Sequence, residues 1–418
     1  MVIVLLLALI FLRKILAYKT ATNLILNVGN YKKEHMKFNL TFLFIIILSI
    51  LFLGCSSESN QTDENEATNL ECIENNGLSI EQDFSISNEE DVILFLENPY
   101  KEIIGEFYVS NLSDISFLSC VEKIKSLYIS NCDIENLTGL TNLTEVTELH
   151  ITNMPRLKNL NGVNSINKIE YLDIRNNPQL INLEGLESLS IIGGIYIQEN
   201  ESLQNLNGLE NITTNVYYES PSWSPLAWEW RIRENPNLTS ISALNNITGE
   251  LKSNFNIYQC PNLTDLGMFE LVTKSVGLSI NNCGSLTSLS CFPNLTETGW
   301  ITVYSSENIG IISFLSLEKA SYLGIDNNDS LNEINFNSLT EISGGGNGDF
   351  SIQIDDNDNL TSLTGIENLE YTEKIVWINQ FYSDFENPLE SVCALRKLYL
   401  NQISMLLLVI SKMFLFTI

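Results

Sequence analysis

Between residues 107 and 378 aliphatic and polar positions alternate in short bursts that recur along the chain. The clearest burst is Leu172–Asp173–Ile174, followed by Asn176, Asn177 and Pro178 and then by Leu180, Leu183, Leu186 and Leu189 at intervals of three. Alternation with period two predicts a half-buried strand, and the Asn–Asn–Pro run predicts a turn. Aligned on the strand, the phrase opens at Phe107, Leu127, Leu149, Leu172, Ile195, Trp230, Phe255, Leu278, Ile301, Leu323, Ile352 and Val376, mostly 22 or 23 residues apart. The second aliphatic position is Val or Ile throughout, from Val109 and Ile129 to Ile325 and Ile354. A further apolar column follows six residues on, at Leu157, Leu180, Leu203, Leu238, Leu263, Leu286, Ile309, Leu331 and Leu360.

A unit this short cannot bury its own apolar face, so copies must stack, with parallel strands about 4.8 Å apart and like residues over like. The predicted class is mainly β: one right-handed solenoid of parallel strands, about 12 turns long, over 106–380. Within 70–105, Ile80, Phe84, Asp91 and the run Val92 to Leu96 predict a strand and a short helix forming an N-terminal cap.

The grammar L-x-I-x-x-N-x-x-L-x-x-L-x-x-L resembles a leucine-rich-repeat solenoid. Its I-x-G spacing, as in Leu189–Ser190–Ile191–Ile192–Gly193–Gly194–Ile195, is similar to the receptor L domain. The resemblance runs from Ile103 to Ile378 and implies architecture rather than function, because any consensus solenoid shares the grammar. The chain lacks the Cys-rich modules of the hormone receptors, so hormone binding is not implied.

A second resemblance lies near the N-terminus. Met36–Cys55, MKFNLTFLFIIILSILFLGC, has a basic start at Lys37, an apolar run from Leu40 to Leu53, and Gly54–Cys55 at its end. This resembles a bacterial lipoprotein signal over 36–54, which implies lipidation of Cys55 as the first mature residue. The Ser- and acid-rich stretch 55–69 is similar to the tethers of Bacteroidetes-type surface lipoproteins and implies an outer-membrane, surface-exposed location. An uncleaved anchor is the alternative. Residues 1–35 are expected to be an extension upstream of a start at Met36. The apolar 381–418 is expected to be a C-terminal cap or an aberrant tail, with a membrane anchor as a further alternative.

Charge narrows the partners. The chain carries 51 acidic against 22 basic residues, a formal charge of −29. Such a surface repels phosphate backbones, which argues against nucleic acid. Of two histidines, His35 precedes the mature chain, and His150 is expected to stand alone and exposed on the outer strand face. Triad chemistry and multi-histidine metal sites are thereby disfavoured, and no enzyme activity is expected. Asp326, Asp329, Asp355, Asp356 and Asp358 fall in turns, but no spacing marks an acid–base pair. Asp355, Asp356 and Asp358 make a weak calcium candidate, without the Gly and distal Glu of an EF-hand loop. No other cofactor is expected.

Cys132, Cys260 and Cys283 all stand three residues after the Val/Ile position. Cys260 and Cys283 are candidates for a disulfide between successive coils, with a buried thiol ladder as the alternative. Sequons such as those at Asn136, Asn237 and Asn359 follow the repeat phase, which explains them without glycosylation. Near the middle, Val216 to Trp230 breaks the rhythm, and Tyr217, Tyr218, Trp223 and Trp228 form a candidate binding loop, while Trp230 stays in strand register. The expected function is that of a non-enzymatic cell-surface lipoprotein whose solenoid binds a protein or glycan. A polysaccharide-binding or polysaccharide-degrading β-helix and a structural envelope protein are the alternatives.

Overall fold

The computed structural model describes residues 78–98, 100–216, 229–344 and 350–379. The chain divides into two compact units, Met1–Glu64 and Asn65–Ile418, and every described residue belongs to the second. That unit is a parallel-strand β-solenoid of about 12 turns. Among the described residues no helix is long and apolar enough to cross a membrane.

The predicted columns are the register of the sheet. Phe107 pairs with Leu127, Leu127 with Leu149, Leu149 with Leu172 and Leu172 with Ile195. Ile195 then pairs directly with Trp230, so the long central step leaves the sheet unbroken. The column continues through Phe255, Leu278, Ile301, Leu323 and Ile352 to Val376. Both inward columns are buried, as is the leucine column six residues further on. Each such side chain contributes about 1.5–3 kcal/mol on leaving water, so repetition rather than any one contact holds the rod together. Phe269, Phe292, Phe314 and Phe336 add a stacked phenyl column, with centroids 4.6, 6.3 and 5.6 Å apart.

At the N-terminal end the short strand Phe84–Ile86 joins the same register, Phe84 against Phe107 and Ile86 against Val109. The helix Glu89–Phe95 follows, capped by Asn88, whose side-chain oxygen accepts from the amides of Glu90 and Asp91. Phe95 packs on Phe84, Tyr100, Phe107 and Phe117 and closes that end of the core.

The turn after each strand needs a left-handed residue. Two positions beyond the Val/Ile residue, φ lies between 45° and 57° in every coil from Asn111 to Asp356. Asn tolerates this region best among side-chain-bearing residues, which accounts for Asn131, Asn153, Asn176, Asn282 and Asn327. The next residue points inward. Asn177, Asn200 and Asn235 form a ladder there, the amides of Asn177 and Asn200 donating to the Oδ1 of Asn200 and Asn235 at 3.1 and 3.0 Å. Their Nδ2 groups donate back to Ile151, Ile174 and Ile197 carbonyls. Gly185, at φ 114°, shows why a glycine recurs later in the coil: a Cβ there would stand 2.2 Å from the Leu160 carbonyl oxygen.

Candidate ligand-binding face of the sheet

With two columns pointing inward, the residue between them and those on either side point out. In the first coils the intervening position carries Tyr108, Tyr128 and His150, in register. The rings stack along the sheet, Tyr108 on Tyr128 at 4.5 Å and Tyr128 on His150 at 4.2 Å. Tyr108 donates its hydroxyl to Glu106, and this bond, reinforced by burial, pushes the phenol up to about 12.

His150 lies on the outer face as expected, but it is neither alone nor exposed: its side chain is 14% accessible. Asp173, directly opposite in the next strand, places Oδ2 3.0 Å from Nδ1. The Asp173 side chain is 2% accessible and also accepts from Arg175 Nε and Nη2, at 2.5 and 2.6 Å. Glu148 Oε2 lies 3.7 Å from Nε2, close enough for attraction and too far for a hydrogen bond, so Nε2 has no hydrogen-bond partner among the described residues. Burial alone would lower the imidazole, but Asp173 and Glu148 together raise it above its ordinary value. Glu148 is held below the usual carboxylate range by His150, against its own burial. A buried carboxylate orienting an imidazole is two thirds of a hydrolytic triad, yet no nucleophile hydrogen-bonds the open nitrogen.

Further along, arginines bracket tyrosines. Arg175 and Arg231 lie 5.0 and 6.0 Å from the Tyr196 ring centroid, and Arg233 lies 5.2 Å from that of Tyr258. Arg231 is paired with Glu229 and Arg233 with Glu234. Three of the chain's six arginines therefore meet on one stretch of the face, each already matched by a carboxylate.

In the last third of the face the middle of the strands is aromatic, with charged residues at the strand ends. Trp300 stands opposite Gly277, and a Cβ on Gly277 would meet its indole at 2.2–2.6 Å. The hydroxyls of Tyr304 and Tyr322 cover Gly324 in the same way. They lie 3.2 Å apart, and Tyr322 also donates to Gln353. Thr302 donates to Ser279 at 2.7 Å.

The acidic group differs from its expected membership. Asp326, opposite Asp355 in register, joins Asp355 and Asp356, their oxygens all within 4.8 Å of one another, while Asp358 is exposed outside the group. Asp326 is drawn in because one strand pairing brings the two strand ends together. Burial, then the neighbouring carboxylates, raises Asp326 and Asp356. Three single oxygens supply at most half of the six to eight that calcium takes.

Cys260 and Cys283 are free, buried thiols and not a disulfide. Their sulfurs lie against backbone carbonyls, Tyr258 for Cys260 and Asn281 for Cys283, and burial pushes them up to about 11 and about 12. They occupy the asparagine-ladder column, as does Cys132, also free. Cys120 is disulfide-bonded. Trp230 is core, 1% accessible, its indole N–H donating to the Gly193 carbonyl at 2.7 Å. Asn237 and Asn359 donate to carbonyls of the preceding coil, each at 2.7 Å. The candidate loop Tyr217, Tyr218, Trp223 and Trp228, the lipidation residue Cys55 and the C-terminal 381–418 lie outside the described residues.

The sequence model of one family, described as the LRR domain of the endo-beta-N-acetylglucosaminidase EndoS, matches residues 119–215. No curated protein matches the sequence. Among solved structures, a leucine rich cell surface protein from Faecalibacterium prausnitzii A2-165 is 15% identical, over 56% of this chain and 79% of that one, with a TM-score of 0.19. The functional domain of InlJ from Listeria monocytogenes, described as including a cysteine ladder, is 13% identical over 72% and 74%, with a TM-score of 0.21. At scores this low the fold rests on the strand register.

Proposed function

We propose that this chain is a non-enzymatic recognition protein of a bacterial cell surface, holding a protein or glycan against the outward face of its parallel sheet. One observation carries the reading. Large side chains along that face, from Tyr128 to Tyr322, are partly exposed yet ordered by stacking and hydrogen bonds across strands. A face ordered in advance loses less side-chain entropy on contact. Anchoring follows from the sequence: a lipid on Cys55 and the tether 55–69 would hold the solenoid at the outer surface of the outer membrane.

The test uses the full chain on intact cells. Fatty-acid labelling lost in Cys55→Ala, together with cleavage by added protease, is the expected anchoring result. A photocrosslinker placed at Tyr128 or Tyr196 should capture a partner, and one at exposed Asn262, among the turns, should not. Capture only from position 262 would refute the reading. The Asp326, Asp355 and Asp356 group favours a second reading, cleavage of an acidic polysaccharide. Release of reducing ends, abolished by Asp326→Asn, would establish it.

A further inference from the structure

The recognition reading leaves the ligand's chemistry open, and the last third of the sheet face narrows it. Trp300 is oriented by a missing side chain. Its Cε2, Cδ2 and Nε1 atoms lie 2.2, 2.5 and 2.6 Å from where a Cβ of Gly277 would stand. Near-equal approach by three bonded ring atoms means that the ring plane lies across the Cα–Cβ direction. The indole therefore lies flat on the sheet, one face against Gly277 and the other turned outward, and it stays part exposed. Gly324 has the same effect one strand further on, letting the phenol of Tyr322 come down onto the backbone.

Polar groups fringe these rings. Tyr304, Tyr322 and Gln353 are linked through their side chains, as are Thr302 and Ser279. Asn281, opposite Tyr304, donates to Ser279 but leaves its buried Oδ1 without a hydrogen-bond partner among the described residues. A buried acceptor left unpaired is costly, and a ligand hydroxyl reaching it would relieve that cost. In a chain of charge −29 the outward positions around Trp300 are uncharged, at 277, 279, 302, 322 and 324, while Glu297 and Lys319 stand at the strand starts and Asp326, opposite Tyr304, at their end.

We infer that this platform binds a neutral glycan, a pyranose ring lying on Trp300 with its hydroxyls directed to Asn281, Thr302 and the Tyr304–Tyr322 pair. The inference rests on the recognition reading and names the ligand class of one part of the same face. Aromatic faces are electron-rich and attract the weakly positive C–H face of a sugar, while indole and phenol supply hydrogen-bonding edges. An anionic glycan meets the repulsion of the surrounding carboxylates, including the Asp326–Asp355–Asp356 group at the strand ends. A cationic partner would find its carboxylates at the strand end, at Asp326 beside Tyr304, and none opposite Trp300.

The full chain is titrated by calorimetry with short neutral gluco-, manno- and galacto-oligosaccharides and with uronic-acid oligosaccharides. Trp300→Ala and Gly277→Ala are titrated in parallel. Gly277→Ala keeps every aromatic group and lifts the indole, and its outward methyl leaves the core alone. The expected result is binding of a neutral chain, weakened about tenfold or more in both variants, with melting temperatures near that of the parent. Binding of none of the neutral sugars, preference for the acidic ones, or unchanged affinity in both variants would overturn the assignment. A protein captured from Tyr128 without any sugar binding would remove the glycan and leave the recognition reading standing. Capture only from position 262 would remove both.

Discussion

His150 is held between Asp173 and Glu148, so its proton is part of the folding equilibrium. Its value in the fold is raised above the ordinary 6.5. The stability it contributes is therefore complete below 6.5 and is lost as pH rises through the folded value. Glu148, lowered from 4.5, contributes above 4.5 and loses that contribution as pH falls through its own folded value. The cluster, with Tyr128, Tyr171 and Arg175 around it, is thus strongest in mildly acidic solution. A proton NMR titration should give a His150 midpoint above 6.5 that falls in Asp173→Asn; a midpoint at or below 6.5 in the parent would contradict this. Asp326 makes the opposite case, because like charges directly opposite in a sheet are destabilising. Asp326→Asn should raise the melting temperature in a chelator. If calcium occupies the group, added calcium should stabilise the parent more than the variant. The lone exposed histidine expected from sequence failed because its partner lies in the next coil, 23 residues away. That signal was present: once the register is drawn, Asp173 falls opposite His150 and Gly277 falls under Trp300.

At the scale of the coil, the strand and its turn were legible because two strong constraints repeat: period two in the strand and a left-handed residue after it. Every strand opening from Phe107 to Val376 falls in one column of the sheet. The cap strand Phe84–Ile86 extends that register. Less legible was what fills the inward position after the turn, where Asn, Cys, Met and Ser alternate. Their packing is interchangeable, but their hydrogen bonding is not. Asn200 shows the difference, since it accepts from the Asn177 amide and donates to the Ile174 carbonyl, both buried. Asn200→Ala should destabilise by about 1–3 kcal/mol for each group left unpaired. Chemical denaturation measures the loss, and a change under about 0.5 kcal/mol would show that the ladder is incidental. The redox state of Cys260 and Cys283 was beyond reach, because spacing brings two sulfurs near each other without orienting them.

For the molecule as a whole, charge opposes the fold. A net −29 repels itself through solvent, while exposed surface pairs such as Lys123–Glu145 and Lys274–Glu297 contribute little. Salt screens both effects, and with 51 acidic against 22 basic residues the repulsion is expected to outweigh the pairs. The melting temperature should therefore rise with sodium chloride up to about 0.15 M, where the screening length is about 8 Å. A fall would mean that ion pairs dominate. On the proposed reading two sets of columns divide the labour in this molecule: the inward set makes the rod, and the outward set would meet the ligand. The most direct measurement replaces Tyr128, Tyr196 and Trp300 together by alanine in the full chain and records melting and partner capture side by side. The expected result is a melting temperature close to the parent's with capture abolished; a collapsed fold, or capture undiminished, would contradict that division.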